Sequence, residues 1–409
     1  MIPAIPLLDP MPVPAPIWLV KALLWVTFSV HLLFMNVTLG GAVLSAVYAV
    51  KGKDRDRALA RTLAKLLPFV MPFAITFGVA PLLFVQVLYG PLFYTSTILM
   101  AAPFLAIIGV LIAAYYGMYL LAWKWTALGR AQGWLAAAIF MLLAYVGFTY
   151  THVFTLMTSP DRFRAMYLAH PDGVQYFFGD PMLLPRFLHM FLGSLAVTGL
   201  MVAYLGTKRL RLEPELGRWQ FKAGITWFAA ATVANLGVGA WWLMALPREA
   251  MLLFMGGSAL ATGAFIAGLV FGVSALVLAL MGINSLKPLP MLMGAGHALA
   301  VTLICMVLMR DALRDALLKP AYDVWTLPSD PQWVAVGLFL VLFAGGLGVC
   351  VWLLKLMSDA ARANAAKGDD GNRGPGLTDS GLHRISAEDS QAMRGGLAPE
   401  SGQRPRVDV

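Results

Sequence analysis

Apolar residues run along this chain in long unbroken blocks, separated by short polar or proline-containing turns. Nine blocks stand out, at 17–48, 62–90, 92–123, 133–158, 185–206, 221–246, 250–281, 288–310 and 332–357. Each exceeds the roughly 20 residues that a helix needs to cross a hydrocarbon core, and several are long enough to tilt or protrude. Their continuity, in place of a two-residue alternation, points away from a transmembrane barrel. The pattern predicts an all-α polytopic membrane protein, a bundle of about nine transmembrane helices.

Polar positions orient that bundle. Lys51, Lys53, Arg55, Arg57, Arg61 and Lys65 crowd the connection after the first block, and Lys208, Arg209, Arg211, Arg218 and Lys222 the one after the fifth. Both connections fall on one side, which the positive-inside rule makes cytoplasmic. The N-terminus is then outside, the C-terminus inside, and the location a bacterial inner membrane. Only 12% of residues are charged, so the net charge of +9 belongs to loops facing the lipid bilayer and implies no nucleic-acid partner. Residues 1–16 read as a proline-rich outer lead-in without the basic region of a signal peptide, and 17–357 as the transmembrane domain. Residues 358–409 read as a disordered cytoplasmic tail, too polar to bury a core. Two outer loops, 159–186 and the segment beginning "RDALRDALL" after the eighth block, mix charges with aromatics and suit an interfacial helix or a docking surface.

Candidate chemistry rests on histidine. Of six, His170 lies in a loop and His383 in the tail, while His31, His152, His189 and His297 fall in blocks one, four, five and eight. A single intramembrane histidine is as readily a hydrogen-bonded core residue as a ligand. Four in separate helices point toward haem iron, for which neutral imidazole is a common ligand. No Asp or Glu occurs between Asp56 and Asp161, across three blocks, which argues against a proton relay there and toward electron transfer. Cys305 and Cys350 stand alone, outside any Cys-x-x-Cys-His pattern, so no haem c is attached covalently. At 1.5 Å per residue His189 lies roughly 6 Å and Met255 roughly 8 Å inside the outer boundary, a matched depth for a His/Met axial pair. His31 lies roughly 15 Å down from Lys21, taken as the outer boundary. A second haem can be placed between His31 and either His152 or His297, and the sequence does not choose. Trp241 and Trp242 read first as interface anchors and second as a quinone-stacking surface.

Several of these stretches resemble cytochrome bd quinol oxidase subunit I. "VHLLFMNVTLGGAVL" is similar to that family's first-helix motif, "PRFLHMFLGSLAVTGLMVAYLG" to its fifth helix, "APFLAIIGVLIA" to its third and "FKAGITWFAAATVANLG" to its sixth. The resemblance implies a nine-helix fold with His31 as the first-helix haem ligand. It further implies His189 as the low-spin haem b ligand and Met255 as the residue opposite. Departures accompany it. Ile108 or a neighbour stands where the third-helix glutamate belongs, and the GRQPW element with its glutamate is absent around "LMRDALRD". The quinol loop has shrunk to "LPRE", and Leu253 replaces an arginine.

The combined reading is a divergent, membrane haem-b electron-transfer subunit carrying one to three haems. It would pass electrons between the quinone pool and a periplasmic redox partner, such as a c-type cytochrome docking on the Asp161–Arg186 face. No catalytic residue is assigned. Two alternatives stand beside it: a quinol oxidase reducing oxygen with substituted haem ligands, and a haem-free membrane transporter or anchor.

Overall fold

The computed structural model describes residues 11–210 and 212–371. Among them, nine helices are long and apolar enough to cross a membrane. They are α1 (Ile17–Lys51), α2 (Asp54–Leu99), α3 (Ala101–Trp123), α4 (Ala131–Met157), α5 (Leu183–Arg209), α6 (Pro214–Met244), α7 (Ala259–Gly282), α8 (Pro288–Leu318) and α9 (Trp333–Gly371). The described residues contain no strand, only a parallel bridge between Val13 and Ser329. All-α architecture is what a bilayer demands of an open chain, because each backbone group must find its partner within its own helix.

Contacts divide the chain into two compact units, Met1–Gln332 and Trp333–Val409. The first holds α1 to α8. Within it, small residues let backbones touch. A Cβ at Gly199 on α5 would lie 2.5 Å from the Phe228 amide nitrogen of α6, and one at Gly40 on α1 would lie 2.3 Å from the Ser194 carbonyl oxygen of α5. Side chains of any size there force the helices apart, so the α1–α5–α6 contact exists because these positions are glycine. The 46-residue α2 carries four internal prolines and leaves helical geometry at Tyr89 (φ −130°), two residues before Pro91. A proline withholds its amide hydrogen bond and crowds the preceding turn, which accounts for the kink. That kink sits in a hydrophobic core built with Val20, Leu24, Phe93, Met157 and Leu318. A second core, around Tyr48, Leu63, Met118, Trp125 and Phe221, lies toward the opposite, basic end.

The second unit is α9, whose described side chains include the exposed Val334, Leu338, Val341 and Trp352, a surface suited to lipid. It stays helical to Gly371, so the tail expected to be disordered from 358 begins as helix. The rest of that tail, and lead-in residues 1–10, lie outside the described residues.

Three other boundaries differ from the hydropathy reading. Helix α2 starts at Asp54, so Arg55, Arg57, Arg61 and Lys65 are on its first turns and not in a loop. Helix α8 continues to Leu318, so "RDALRDALL" is helix where an outer loop was expected. Helix α7 begins at Ala259 and not at 250. The residues before it form a short helix, Arg248–Leu252, and a π-turn, Leu253–Gly257, in which Gly256 holds φ 109°. A left-handed glycine breaks the helix there, which apolarity alone does not reveal. In the 159–186 loop, where a short helix was expected, one is present as Phe163–Ala169. The lead-in pairs with the segment before α9 through Val13 N–H to the Pro328 carbonyl (2.8 Å) and Asp330 N–H to the Val13 carbonyl (3.0 Å).

Candidate functional site

The densest polar chemistry lies where the start of α1, the kink of α2 and the end of α8 meet. Lys21 is fully buried, and its ammonium donates to Tyr89 Oη (2.6 Å), Asp311 Oδ2 (2.9 Å) and Asp315 Oδ2 (2.6 Å). The Tyr89 hydroxyl donates to the other oxygen of Asp315, and Trp325 Nε1 reaches Asp315 Oδ2 at 3.2 Å. Arg314 pairs with Asp311 and lays its guanidinium over the Tyr89 ring, 4.3 Å from the centroid. The hydropathy reading takes Lys21 as an interface marker and the aspartates as loop residues. The structure corrects both: they form one buried ion network.

Beside that network three guanidiniums converge. Arg186, Arg310 and Arg314 line a cavity of about 20 Å³ together with Phe154, Thr158 and Trp242. Arg186 donates to Thr155 Oγ1 (2.8 Å) and lies 5.5 Å from the Trp242 ring centre. Arg310 has no ion pair among the described residues; it sits over the rings of Phe28 (4.6 Å) and Phe154 (4.9 Å). Arg314 Nε is buried without a hydrogen-bond partner. Guanidinium does not lose its proton in a protein. Among the described residues, the carboxylates acting on Lys21, Arg186, Arg310 and Arg314 are those of Asp311 and Asp315, with buried Asp180 as a further negative charge acting on Arg186. Excess positive charge in a low-dielectric interior favours an anion as its complement.

The histidines fall into distinct situations. His31 Nδ1 lies 2.9 Å from the Ala74 carbonyl oxygen of α2, in room left by Gly78, where a Cβ would come within 2.8 Å of the ring. A carbonyl only accepts, so Nδ1 carries the proton and Nε2 keeps its lone pair, the arrangement by which a backbone oxygen orients a metal-binding imidazole. The ring stacks on Phe28, which lies beneath Arg310. His189 lies against Trp242 (5.7 Å between centroids), which lines the arginine cavity. Its Nε2 is 3.3 Å from Met306 Sδ, and its Nδ1 is buried and unpartnered, as are Asn235 Oδ1 and Trp242 Nε1 nearby on α6. His152 instead donates from Nε2 to the Phe177 carbonyl (2.8 Å) inside a cage of Phe148, Tyr176 and Phe178. It fastens the 159–186 loop to α4. His297 is exposed and bonds one turn back to the Met293 carbonyl (2.8 Å).

His31 therefore adjoins the arginine cavity through Phe28 and Arg310, and His189 adjoins it through Trp242, whereas His152 packs in the loop cage and His297 is exposed. Met255 lies in the π-turn before α7, half exposed. The depth match that paired it with His189 assumed a continuous helix from 250, which the break at Gly256 removes. The sulfur in contact with His189 is that of Met306, on α8. Of the two tryptophans, Trp241 is partly exposed as an anchor is, whereas Trp242 points inward to His189 and Arg186.

A haem b was the expected cofactor, and the donor set fits one. It offers an imidazole with a free Nε2, a second imidazole beside a thioether, and guanidiniums for carboxylates. Four buried polar atoms there, on His189, Asn235, Trp242 and Arg314, lack partners. The void itself is no larger than a water, so a macrocycle enters only if the side chains lining it move apart.

Neither a protein-family profile nor a curated protein sequence matches this chain. Among solved structures, a chain of the bd oxidase from Geobacillus thermodenitrificans is similar, with a TM-score of 0.68 over 86% of this chain and 100% of that one, at 12% identity. Identity that low carries no residue-by-residue equivalence, but coverage of the whole oxidase chain shows a common architecture. The protein has a cytochrome bd-type fold, of the kind that its subunit I-like sequence motifs predict.

Proposed function

We infer that this chain is a membrane haem-b electron-transfer subunit that passes electrons between the quinone pool and a redox partner at its outer face. The observation that carries the reading is that His31, through Phe28 and Arg310, and His189, through Trp242, each adjoin residues lining the arginine-rich void, with Nε2 of His31 left free by the Ala74 bond. A haem held there supplies a one-electron iron couple. His31 presents Nε2, with its tautomer fixed by the Ala74 carbonyl. His189 presents an imidazole and Met306 a thioether. Arg186, Arg310 and Arg314 would pair with the carboxylates of such a group and compensate their charge, while the core around Tyr89 and Phe93 would keep water away. For the partner, the loop before α5 exposes Tyr167, Leu168, Val174 and Phe178 beside the charged Asp161 and Arg164, a mixed surface suited to transient docking.

The optical spectrum and pyridine haemochromogen of the purified protein test this. Non-covalent haem b is expected, with haem content falling at least severalfold in His189→Ala and in His31→Ala. Comparing Met306→Leu with Met255→Leu identifies the sulfur ligand, and contact with His189 predicts that only the first loses haem. Colourless wild-type protein, or full haem content in both histidine variants, overturns the reading.

A further inference from the structure

At the basic end of the first unit, opposite the histidines, lies a second cavity that the electron-transfer reading does not use. Its volume is about 380 Å³, and it is lined by Arg57, Arg61, Trp125, Thr126, Gly129, Arg130 and Gln132. That volume falls within the range of sites for small ligands, roughly 300–1,000 Å³. Arg57 and Arg61 stand one helical turn apart on the first turns of α2, and Arg130 ends the turn between α3 and α4. No acidic residue lines the cavity, and none of the three arginines has an ion pair among the described residues.

The walls are fixed while the arginines are free. Trp125 is buried, and the buried Gln132 amide is held by the Trp125 carbonyl at 2.6 Å. Gly129 holds φ 51° in the turn before α4, Gln132 of the first turn of α4 lines the cavity, and no side chain caps that helix. The start of α4 is braced against the end of α1, since a Cβ at Gly133 would meet Val50 at 2.7 Å. Three unpaired guanidiniums and the positive end of a 27-residue helix thus share one rigid concavity. Guanidinium matches the oxygens of phosphate in two-point hydrogen bonding, and uncapped amides favour the same charge.

We propose that Arg57, Arg61 and Arg130 form a binding site for a phosphate group. Two sources share this chemistry, the headgroup of an anionic phospholipid and soluble phosphate, and the position at the end of three membrane helices suits the first. Basic residues near a membrane surface each contribute about fivefold to the affinity for anionic lipid.

The full-length protein, purified in mild detergent, is examined by native mass spectrometry for retained phosphatidylglycerol. The delipidated protein is titrated in parallel with inorganic phosphate by equilibrium dialysis. One equivalent of either ligand, lost in the variant Arg57→Gln/Arg61→Gln/Arg130→Gln, supports the site and identifies its source. Because all three side chains are exposed, the variant keeps its helical circular dichroism and gel-filtration profile. The variant Lys53→Gln/Lys65→Gln/Lys222→Gln removes the same charge elsewhere on the basic end. Equal loss of ligand in that control, or no binding of either ligand to the wild type, overturns the proposal.

Discussion

Lys21 shows how far one side chain can depend on residues remote in sequence. Its ammonium is fully buried, and its partners Asp311 and Asp315 lie on another helix, 290 and 294 residues away. Removing one member of a buried ion cluster leaves the others desolvated and unpaired, at a cost of about 3–5 kcal/mol. Lys21→Met is therefore expected to lower the thermal stability of the detergent-solubilised protein sharply. Adding Asp315→Asn to it should recover part of the loss. Strictly additive losses in the double variant would show that the two groups are not coupled. The sequence did hold a signal for this cluster. In "RDALRD", Arg310 and Arg314, like Asp311 and Asp315, repeat at i, i+4, the spacing of one helix face. Their charge lowers local hydropathy and so reads as loop. Lys21, near a helix start, is indistinguishable from a residue whose ammonium reaches back to the interface.

Among the helices, existence was legible and termini were not. Hydropathy finds nine blocks, and nine described helices are apolar and long enough to cross a membrane, because a bilayer requires an apolar exterior along each of them. It misjudges the end of α8 and the start of α7, where a buried charged turn and a left-handed glycine decide the boundary. The depth match of Met255 with His189, though not the family resemblance that also pairs them, rests on that second boundary. The glycines were visible but ambiguous, since small residues at close spacing accompany most membrane packing. The structure separates them. A Cβ at Gly199 meets backbone of α6, whereas one at Gly263 on α7 meets nothing within 4 Å. Gly199→Ala is expected to destabilise by about 1–3 kcal/mol, the usual cost of overpacking. Gly263→Ala should be neutral or slightly stabilising through better helix propensity. Parallel thermal melts of the two variants check this, and equal melting temperatures would mean that the α5–α6 backbone contact contributes little.

Across the whole molecule, positive charge is concentrated in two places of different character. At the basic end it is exposed and screened; at the other end Arg186, Arg310 and Arg314 are held inside the bundle with too few carboxylates among the described residues to neutralise them. The fold likeness to bd oxidase does not bear on this asymmetry, because 12% identity transfers architecture and no charges. If a haem lies between His31 and His189, its reduction adds one electron beside fixed positive charge, which favours the reduced form. Arg310, which no ion pair compensates, is the residue that isolates this effect. A unit charge about 10 Å away in a medium of effective dielectric about 20 contributes roughly 1.7 kcal/mol, on the order of 70 mV for one electron. Arg310→Gln should therefore lower the midpoint potential by tens of millivolts in a redox titration of the Soret band. Lys53→Gln, far from the site and exposed, should leave it unchanged. A potential unmoved in Arg310→Gln, at full haem content, would place the haem away from the arginines and separate the charge cluster from electron transfer.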